Sequence, residues 1–504
     1  MMRWSIGVIL VLALANQGKS QDYLDRVWIL GSWYLAGEPT SNLFEFTNDT
    51  FYQSPLFFPW GNLLDGAIAV ANKEGPALWA FSNGCKMFNR NLELMMNGDS
   101  IVAGVLYKTQ CKANSSSSPY TNGAVLIPWP GTKDSILLFN LNLEQIYDDN
   151  GLNVGPSLLH YSVIDMSLDE GYGSVIEKRL TAIDDKLGRN SVLAVRHSNG
   201  EDWWIVVPRS RSACYFSVPV TKEGVGTPVY TCTEKLWGDF DLIGQATFSP
   251  DRNRYARIIA EEGLHIYQFD ASTGQMVWEF GLDFPGEPLV YTGVAFSPSG
   301  RYIYATYDYK IWQFDLEAPD VSASRVLVAE RDPDFADPFH TRFYSAVLAP
   351  DGRIYISPSG QYNYLQVILE PDCPGSSCQV MQNHIKIYGS GRNSLPNLPF
   401  FRDWSGYNGC ETSSTDQSDI LQNDYKIFPN PVSDYLQLSR SNLEPGATCN
   451  VFDMNGRLVM SRPLGEAYNV SMNMLQLPAG MYGIQLVDDK GLVHYRDKFM
   501  KLGF

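Results

Sequence analysis

Short runs in which apolar and polar residues alternate, broken by Pro, Gly and Asp, recur along most of the chain. The clearest copies begin at Ala246, Val294 and Ala346. Each has a short apolar segment, a proline-centred turn and two further segments rich in β-branched and aromatic residues. Alternation with this punctuation predicts antiparallel hairpins. Copies that start roughly 50 residues apart have the length of a β-propeller blade.

Looser copies of the pattern precede these three, at residues 67–91, 123–142 and 191–208. We expect residues 27–60 and 384–402 to complete a further blade jointly, because pairing early with late strands leaves no open edge in the ring. The pattern therefore predicts an all-β chain built on a β-propeller, and it favours seven blades over six. Stacked β-sandwiches, the rival architecture, would not explain the regular spacing.

The pattern changes near the C-terminus. Residues 405–424 hold four acidic residues and no Lys or Arg. They have too few apolar groups to build a core, so we expect a flexible linker. Alternation resumes at Tyr425, with turn signals at Asn455-Gly456 and from Pro478 to Gly480. Residues 425–504 are therefore predicted to form a small Ig-like β-sandwich.

Residues 1–20 have the pattern of a secretory signal peptide. Arg3 supplies a positive charge, and residues 4–14 form an apolar run too short to span a bilayer. Ala13-Leu14-Ala15 fits a cleavage site. No other stretch approaches the length of a membrane helix. We therefore expect an exported chain with no membrane span in its mature form, in which residues 21–404 make the propeller.

Export makes the eight cysteines candidates for disulfides. A zinc site is disfavoured, because no C-x₂-C spacing occurs and the chain has only six histidines. Eight cysteines allow many pairings, so the expected pairs rest on local turns and neighbouring strands. Those pairs are Cys373–Cys378, Cys214–Cys232 and Cys85–Cys111, with Cys410 and Cys449 as candidate free thiols.

The formal net charge is −17. A field of this sign repels nucleic acid and anionic lipid, and it favours cationic partners or divalent metal. Solvation of a secreted surface explains the same excess without any bound partner, and we prefer this interpretation.

The chain has no strong catalytic motif, since G-x-S-x-G, H-E-x-x-H, the P-loop and the dinucleotide-binding fingerprint are all missing. We assign no catalytic, cofactor-binding or metal-binding residue. Asp332, Asp334 and Asp337 would suit calcium, the one cofactor that the composition suggests. Their loop lacks the Gly and the terminal Glu of an EF-hand, which favours a solvated loop.

Two further residue sets have a functional and a structural interpretation. His197, His265 and His340 belong to different repeats, so they could meet at the central channel and hold a metal. A single His in a strand is more often a core or surface residue. Trp203, Trp204 and Trp312 could stack on sugar rings, although aromatic residues in blades usually belong to the core.

Four motifs in the last 80 residues, "FPNP", "VFDMNGRLV", "LPAGMYGIQL" and "DKFMKL", resemble in order and spacing the type A C-terminal sorting domain of the type IX secretion system. The resemblance implies passage through the periplasm, recognition by the outer-membrane translocon, and a secreted or cell-surface product. The residues that carry the motif are Pro429, Asn430, Pro431, Asn455, Gly456, Leu477, Pro478, Gly480, Tyr482 and Lys501.

The body resembles a family of bacterial secreted proteins with WD40-like or YVTN-type propellers. The matching stretches include "SNGCKMFNRNLELMMNGDSI", "LAVRHSNGEDWWIVV" and "SLPNLPFF". Most members of that family carry no assigned activity. The chain departs from the family at "CPGSSC", where members usually carry an Asn-Pro-Asn turn.

Three functions follow as hypotheses. The leading one is a non-enzymatic binding or interaction module for an unknown protein or glycan. Its rival is a metal-dependent hydrolase or lyase that acts on a polysaccharide or lactone at the propeller channel. The third is a structural or adhesive role at the cell surface. Convergence of Asp or His side chains from three blades at the channel mouth would favour the enzyme.

Overall fold

A computed structural model describes the chain over ordered stretches separated by gaps. The predicted signal peptide, residues 1–20, and most of the predicted linker lie outside the described residues. The described ranges are 24–31, 41–47, 51–58, 63, 67–72, 77–112, 118, 120, 122–143, 156–189, 191–233, 244–259, 262–284, 291–331, 342–392, 395–402, 404, 410, 425–428, 430–432, 434–440, 447–454, 456–465, 469–489 and 493–502.

The prediction of an all-β chain is confirmed, and the body is propeller-like. The described residues from 27 to 392 form seven consecutive antiparallel sheets, here numbered in chain order. Sheet 1 contains β1 (Val27–Leu30), β2 (Ser41–Phe46) and β3 (Phe51–Leu56). Sheet 2 contains β4 (Ile68–Ala71), β5 (Leu78–Ser82) and β6 (Met87–Asn89). Sheet 3 contains β7 (Ala124–Pro128), β8 (Ser135–Asn142), β9 (Leu158–Asp165) and β10 (Ser174–Asp184).

Sheets 4 to 7 follow the same plan, with strands adjacent in sequence also adjacent in the sheet. In sheet 4 both of the last two strands pair with β13. The strands are β11 (Leu193–Arg196), β12 (Trp203–Pro208), β13 (Cys214–Thr221), β14 (Gly224–Val225) and β15 (Val229–Cys232); β16 (Gly244–Phe248), β17 (Arg254–Ile259), β18 (Gly263–Asp270) and β19 (Gln275–Leu282); β20 (Thr292–Phe296), β21 (Tyr302–Tyr307), β22 (Lys310–Asp315) and β23 (Val326–Glu330); and β24 (Phe343–Leu348), β25 (Ile354–Pro358), β26 (Gln361–Ile368) and β27 (Val380–Arg392).

The sheets pack face to face in a ring. The first strands of sheets 2 to 7 contact one another in succession, from β4 through β7, β11, β16 and β20 to β24, so these strands lie innermost. In sheet 1, β1 contacts β4, and the Leu24 carbonyl just before β1 accepts from the N–H of Ala71, the last residue of β4, so β1 begins where the inner strands end. Buried apolar clusters join each sheet to the next. A further cluster joins sheet 7 to sheet 1, with the ring of Trp28 5.5 Å from that of Tyr355. Apolar residues on both faces of each sheet therefore stabilise the ring.

The closing sheets differ from the sequence expectation. Residues 27–56 form a sheet of their own, whereas β27 is the last strand of sheet 7, so the two ends do not share a sheet. They meet through the Asn42 amide, which donates to the Tyr388 carbonyl (3.0 Å) and accepts from the Tyr388 N–H (2.7 Å). The six sequence repeats each fall in one of sheets 2 to 7, because a hairpin is a local structure.

The tail consists of two facing sheets around one core. That core combines residues from both sheets, among them Leu436, Val470, Val451 and Phe499. The strands are β28 (Tyr425–Phe428), β29 (Tyr435–Arg440) and β32 (Asn469–Asn473) in the first sheet, and β31 (Leu458–Pro463), β30 (Thr448–Asp453), β33 (Gly480–Val487) and β34 (Val493–Lys501) in the second.

The first tail sheet docks on the last strands of sheets 6 and 7. Gln437 is 1% exposed, and its Nε2 donates to the Gln382 carbonyl of sheet 7 (3.0 Å). The Tyr364 hydroxyl donates to Asp434 (3.3 Å), and its ring lies 6.0 Å from that of Tyr435. Burial, together with Asp434, raises the pKa of Tyr364. The tail is therefore in contact with the body.

Three disulfides join described cysteines: Cys85–Cys111, Cys214–Cys232 and Cys373–Cys410. The first two are the pairs expected from the sequence, whereas the expected Cys373–Cys378 pair is wrong. Cys378 is fully buried in the cluster between sheets 6 and 7, where burial raises the pKa of its thiol to about 12. Cys373 instead reaches Cys410, and Cys449 is a buried free thiol.

Helical structure is confined to short turns at Gly104–Leu106, Tyr107–Cys111, Asp169–Gly171 and Gly375–Cys378 among the described residues. None of the helices in the described part of the chain has the length and apolar character that crossing a membrane requires.

We predict that Asn42→Ala weakens ring closure. The buried Asn42 amide satisfies the N–H and C=O of Tyr388, and leaving such groups unpaired costs about 1–3 kcal/mol. The urea midpoint, followed by tryptophan fluorescence, should fall. Asn91→Ala, at an exposed turn position in sheet 2, is the matched control and should leave it unchanged. Equal midpoints for the two variants would show that this contact does not stabilise the ring.

We predict that peptide mapping without reduction recovers a Cys373–Cys410 fragment, and that Cys378→Ser retains it. Cys410→Ser should lower the melting temperature, because a disulfide closing a loop of this size contributes about 2–4 kcal/mol. A Cys373–Cys378 fragment from the unmodified chain would contradict the pairing.

Candidate functional site

The ring channel is occupied by the segment that follows sheet 7, residues 395–402, here called the channel segment. Asn397 is 8% exposed, and its Nδ2 donates to the carbonyls of Ala124 (2.8 Å) and Val192 (2.6 Å). Ala124 is the first residue of β7, and Val192 immediately precedes β11. The segment therefore contacts the inner strands of sheets 3 and 4 at the end of the channel where those strands begin.

The other end of the channel segment lies where the inner strands end. The Phe401 ring is 5.3 Å from that of Trp203, and the guanidinium of Arg196, the last residue of β11, lies 6.0 Å from the Phe401 ring. Arg402 donates to the carbonyl of Pro350, just beyond β24. The channel segment therefore runs through the ring along its inner strands.

A small polar cavity of about 50 Å³ remains beside the channel segment, between it and the inner strands of sheets 4, 5 and 7. Gln245 fixes its wall: the Oε1 atom accepts from the N–H groups of Val294 (3.1 Å) and Ala346 (3.0 Å), and Nε2 donates to the Ala346 carbonyl (2.7 Å). A cavity of this size suits a few water molecules and not a sugar ring.

The candidate metal ligands do not assemble in the described part of the chain. His197 lies in the β11–β12 turn with its ring 5.6 Å from that of Trp204. His265 lies in β18, the third strand of sheet 5, and its Nε2 contacts the Glu262 carbonyl (2.9 Å). Within the described ranges, no three His, Cys, Asp or Glu residues are grouped so as to hold a metal ion. The remaining candidates, Asp332, Asp334, Asp337 and His340, lie outside the described residues.

The three tryptophans lie in or against the apolar clusters between sheets, as core residues do. Trp203 and Trp204 are 1% and 5% exposed, and both belong to apolar clusters between sheets. Trp312 is partly buried against the cluster of sheets 5 and 6, with the Arg325 guanidinium 4.9 Å from its ring. A sugar ring has no access to the faces of Trp203 and Trp204.

In the tail, residues that are distant in sequence meet along one edge, here called the motif edge. Asn430 clips onto β34: its Nδ2 donates to the Lys498 carbonyl (2.9 Å), and its Oδ1 accepts from the Met500 N–H (3.0 Å). Two residues further on, Val432 pairs in parallel with Lys501. Pro431 and Lys498 are exposed, so this edge faces solvent.

The second half of the motif supports the same edge. Gly480 lies opposite Lys501 in the β33–β34 ladder. The Tyr482 hydroxyl donates to the Pro478 carbonyl (2.8 Å), and the Tyr482 ring stacks at 5.5 Å on that of Phe499. The turn that holds Leu477 and Pro478 is thereby fixed to the strand.

Gly456 lies in the β30–β31 turn, where its φ of +78° explains the glycine. That turn follows Asp453, which pairs with Tyr482, so it lies at the same end of the second tail sheet. The structure therefore brings Asn430, Pro431, Pro478, Gly480, Tyr482 and Lys501 close together, with the Gly456 turn beside the Tyr482 strand. Pro429 and Asn455 lie outside the described residues.

Several residues of this arrangement were missed from the sequence. Asn397, Gln245 and Asn42 each bridge segments far apart in the chain, and an isolated amide residue carries no local signal. The stretch "SLPNLPFF" did offer one, since its two prolines disfavour a helix and favour an extended segment.

Residues 426–501 match the family model described as the secretion system C-terminal sorting domain. The chain therefore carries a type IX sorting domain, as its motifs predict, and is exported to the cell surface or secreted. The domain also implies interaction with the type IX secretion machinery.

A relative, the endo-acting ulvan lyase of Formosa agariphila, is 30% identical over 91 residues. That match covers 18% of this chain and 17% of the lyase, so the chain aligns with only a small part of that enzyme.

Two solved structures resemble the fold at low identity. PorZ, a surface component of the type IX secretion system of Porphyromonas gingivalis, is 9% identical with a TM-score of 0.34, covering 92% of this chain and 63% of PorZ. The periplasmic gluconolactonase PpgL of Pseudomonas aeruginosa is 10% identical with a TM-score of 0.34, covering 88% and 98%. At these values neither likeness carries a functional argument.

One buried carboxyl contacts the channel segment. Asp25 immediately precedes sheet 1, is 7% exposed and receives a backbone hydrogen bond from Phe401. Burial raises the pKa of Asp25 to about 7, although Arg26 and Arg402 oppose the shift. The carboxyl therefore changes charge near neutral pH at the place where the start of the ring meets the channel segment.

We predict that Asp25→Asn stabilises the chain at pH 7.5 and not at pH 4. A carboxyl whose folded pKa is raised favours folding below its unfolded pKa, and this stabilisation is lost as the pH rises to about 7. The shift corresponds to roughly 2–4 kcal/mol. Melting temperatures should coincide with wild type at pH 4, separate progressively as the pH rises, and reach their full difference near pH 7. The exposed Asp169→Asn should follow wild type throughout. A pH-independent difference for Asp25→Asn would contradict the titration.

Proposed function

We propose that the chain is a secreted or surface-attached binding module, a seven-bladed β-propeller delivered by the type IX secretion system through its C-terminal sorting domain. The observation that supports this function best is the channel segment, because residues 395–402 fill the place where propellers often hold a ligand or substrate. Recognition then falls to the loops at the ends of the sheets.

We propose four parts for the chain: a signal peptide at 1–20, a propeller at 21–404, a linker at 405–424 and a sorting domain at 425–504. The ring of seven sheets and the channel segment support the extent of the propeller. The two facing tail sheets support an Ig-like sandwich. The Cys373–Cys410 disulfide attaches the start of the linker to the body, so the tether proper follows Cys410.

Within the sorting domain, we propose that the motif edge is the surface read by the outer-membrane translocon. Support comes from the convergence of Asn430, Pro431 and Gly480 on one exposed edge of the second tail sheet, beside the buried Lys501.

The competing hydrolase or lyase would need a substrate to reach converging side chains at the channel. The channel segment obstructs that route, and the cavity of about 50 Å³ beside it is too small for a sugar ring. The geometry therefore supports binding better than catalysis at the channel.

Binding without turnover is tested with the full chain on a panel of polysaccharides and lactones, with added Ca²⁺ or Zn²⁺. We expect at least one ligand to be retained on the protein while its chain length or lactone ring stays intact. Metal-dependent release of products would overturn the proposal.

We predict that deletion of residues 425–504 traps the protein in the periplasm, because the translocon loses the domain it reads. Immunoblots of periplasm, outer membrane and medium measure the distribution. Asn430→Ala should produce a partial export defect, because it removes the two hydrogen bonds that hold Asn430 to β34. Asp489→Ala, exposed in the β33–β34 turn and outside the four motifs, is the matched control and should be exported normally. Unchanged export after the deletion would refute the sorting role.

A further inference from the structure

The tail sheet that docks on the propeller touches two sheets of the ring at once. β32 contacts both β23, the last strand of sheet 6, and β27, the last strand of sheet 7, and β29 also contacts β27. We call the tail residues Asp434, Tyr435 and Gln437, with the propeller residues Tyr364 and Gln382 that they meet, the tail contact. One small domain therefore spans the boundary between two neighbouring sheets.

The propeller side of the tail contact contains a β-bulge in β27. The register of the β26–β27 ladder shifts at Gln366, so residues 382–384 of β27 stand opposite this one residue. The Gln366 side chain accepts from the Asn383 N–H, and Asn383 has a φ of +53°. A bulge turns backbone groups out of the ladder. Here the Gln382 carbonyl accepts its hydrogen bond from the tail.

Two glutamine amides in series connect the tail with both sheets. The Gln437 Nε2 atom donates to the Gln382 carbonyl of sheet 7 (3.0 Å) and to the Ser471 hydroxyl within the tail (3.0 Å). The Gln382 Nε2 atom donates in turn to the Glu330 carbonyl of sheet 6 (2.9 Å). Gln437 and Gln382 are 1% and 2% exposed, so both amides are shielded from water. Movement of sheet 6 against sheet 7 would break a buried hydrogen bond.

Further contacts hold the tail against each of the two sheets. On sheet 7, the Tyr364 hydroxyl donates to Asp434 (3.3 Å), and its ring lies 6.0 Å from that of Tyr435. On sheet 6, a Cβ atom added at Gly465 of the tail would lie 3.1 Å from a carboxylate oxygen of Glu330. The tail is therefore seated on both sheets and not only on β27.

The tail contact also contains two unsatisfied atoms. Gln437 Oε1 and Asp434 Oδ1 are buried, and neither has a hydrogen-bond partner among the described residues. Unpaired buried acceptors lower the stability of the docked arrangement. Removal of one further hydrogen bond should therefore be enough to loosen the tail measurably.

We infer that the sorting domain has a second function in the folded protein, as a clamp that holds sheets 6 and 7 together. Sheet 7 makes the closing contact with sheet 1, so a tail that fixes β27 against β23 opposes opening of the ring. This function needs neither the translocon nor a ligand, and it goes beyond the proposed function. A surface contact without a clamping effect, the alternative, would protect only the strands that the tail touches.

Hydrogen exchange of the full chain distinguishes the two. Gln437→Ala removes the amide on the tail side, and Tyr364→Phe removes only a hydroxyl on the propeller side. Loss of a hydrogen bond of ordinary strength should speed amide exchange roughly threefold to tenfold. A clamp predicts this acceleration in β23 and β27 and also in β20 and β24, the innermost strands of sheets 6 and 7. Acceleration confined to β23 and β27, or none at all, would overturn the inference.

Unfolding in urea gives a second measurement. All twelve tryptophans lie within residues 1–404, so tryptophan fluorescence follows the propeller and not the tail. The midpoint should fall for Gln437→Ala and, by less, for Tyr364→Phe. Gln485→Ala is the matched control, because Gln485 alternates along β33 with the buried Ile484 and Leu486 and so faces away from the tail core. It should leave the midpoint and the exchange rates unchanged.

Exchange in β33 shows whether the tail of each variant stays folded. If a variant unfolds the tail, the clamp is lost with it, and the propeller should still exchange faster and unfold at lower urea. A propeller that is unaffected by unfolding of its tail would overturn the inference. An equal effect of Gln485→Ala would do the same, since that side chain does not belong to the tail contact.

Discussion

Contact between sheets 7 and 1 is the constraint on which the body depends. A ring of sheets buries both faces of every sheet only if the last one packs on the first. Here Trp28 packs near Tyr355, and the Asn42 amide pairs with the backbone of Tyr388 across 346 positions. Packing supplies the apolar burial, and the amide fixes the relative position of the two sheets, because a displaced sheet would leave the buried Asn42 amide without its Tyr388 partners.

The channel segment extends this closure into the middle of the ring. Asn397 binds backbone of sheets 3 and 4, and Phe401 packs on Trp203 of sheet 4, so a segment that follows the last sheet holds inner strands from the opposite part of the ring. The channel segment, which stabilises the ring, thereby occupies the place in the channel where a ligand would bind. The residues that connect strands at the sheet ends are then the part of the propeller left to contact a ligand.

Sequence predicts what is local. Six repeats were recognisable because a hairpin needs only its own alternation and turn, and the sorting motif because its spacing is specific. The arrangement of sheets 1 and 7 could not be recognised from the sequence, because it depends on a contact between Asn42 and Tyr388, which are far apart in the chain. The Cys373–Cys378 expectation failed for a similar reason: a short loop suggested the pair, but Cys378 is buried beside Tyr304 and the partner, Cys410, is brought back by the path of the chain.

The tail uses its two sheets for different contacts. The first sheet docks on the body through Gln437 and Tyr435, while the motif edge belongs to β34 of the second sheet and to Asn430, which clips onto it. Docking therefore leaves the motif edge exposed. The Cys373–Cys410 disulfide holds the chain to the propeller near the start of the linker, and the hydrogen bond from Gln437 to Gln382 holds the tail to the propeller beyond its end. A translocon that reads the motif edge can then engage the tail without first displacing it from the propeller.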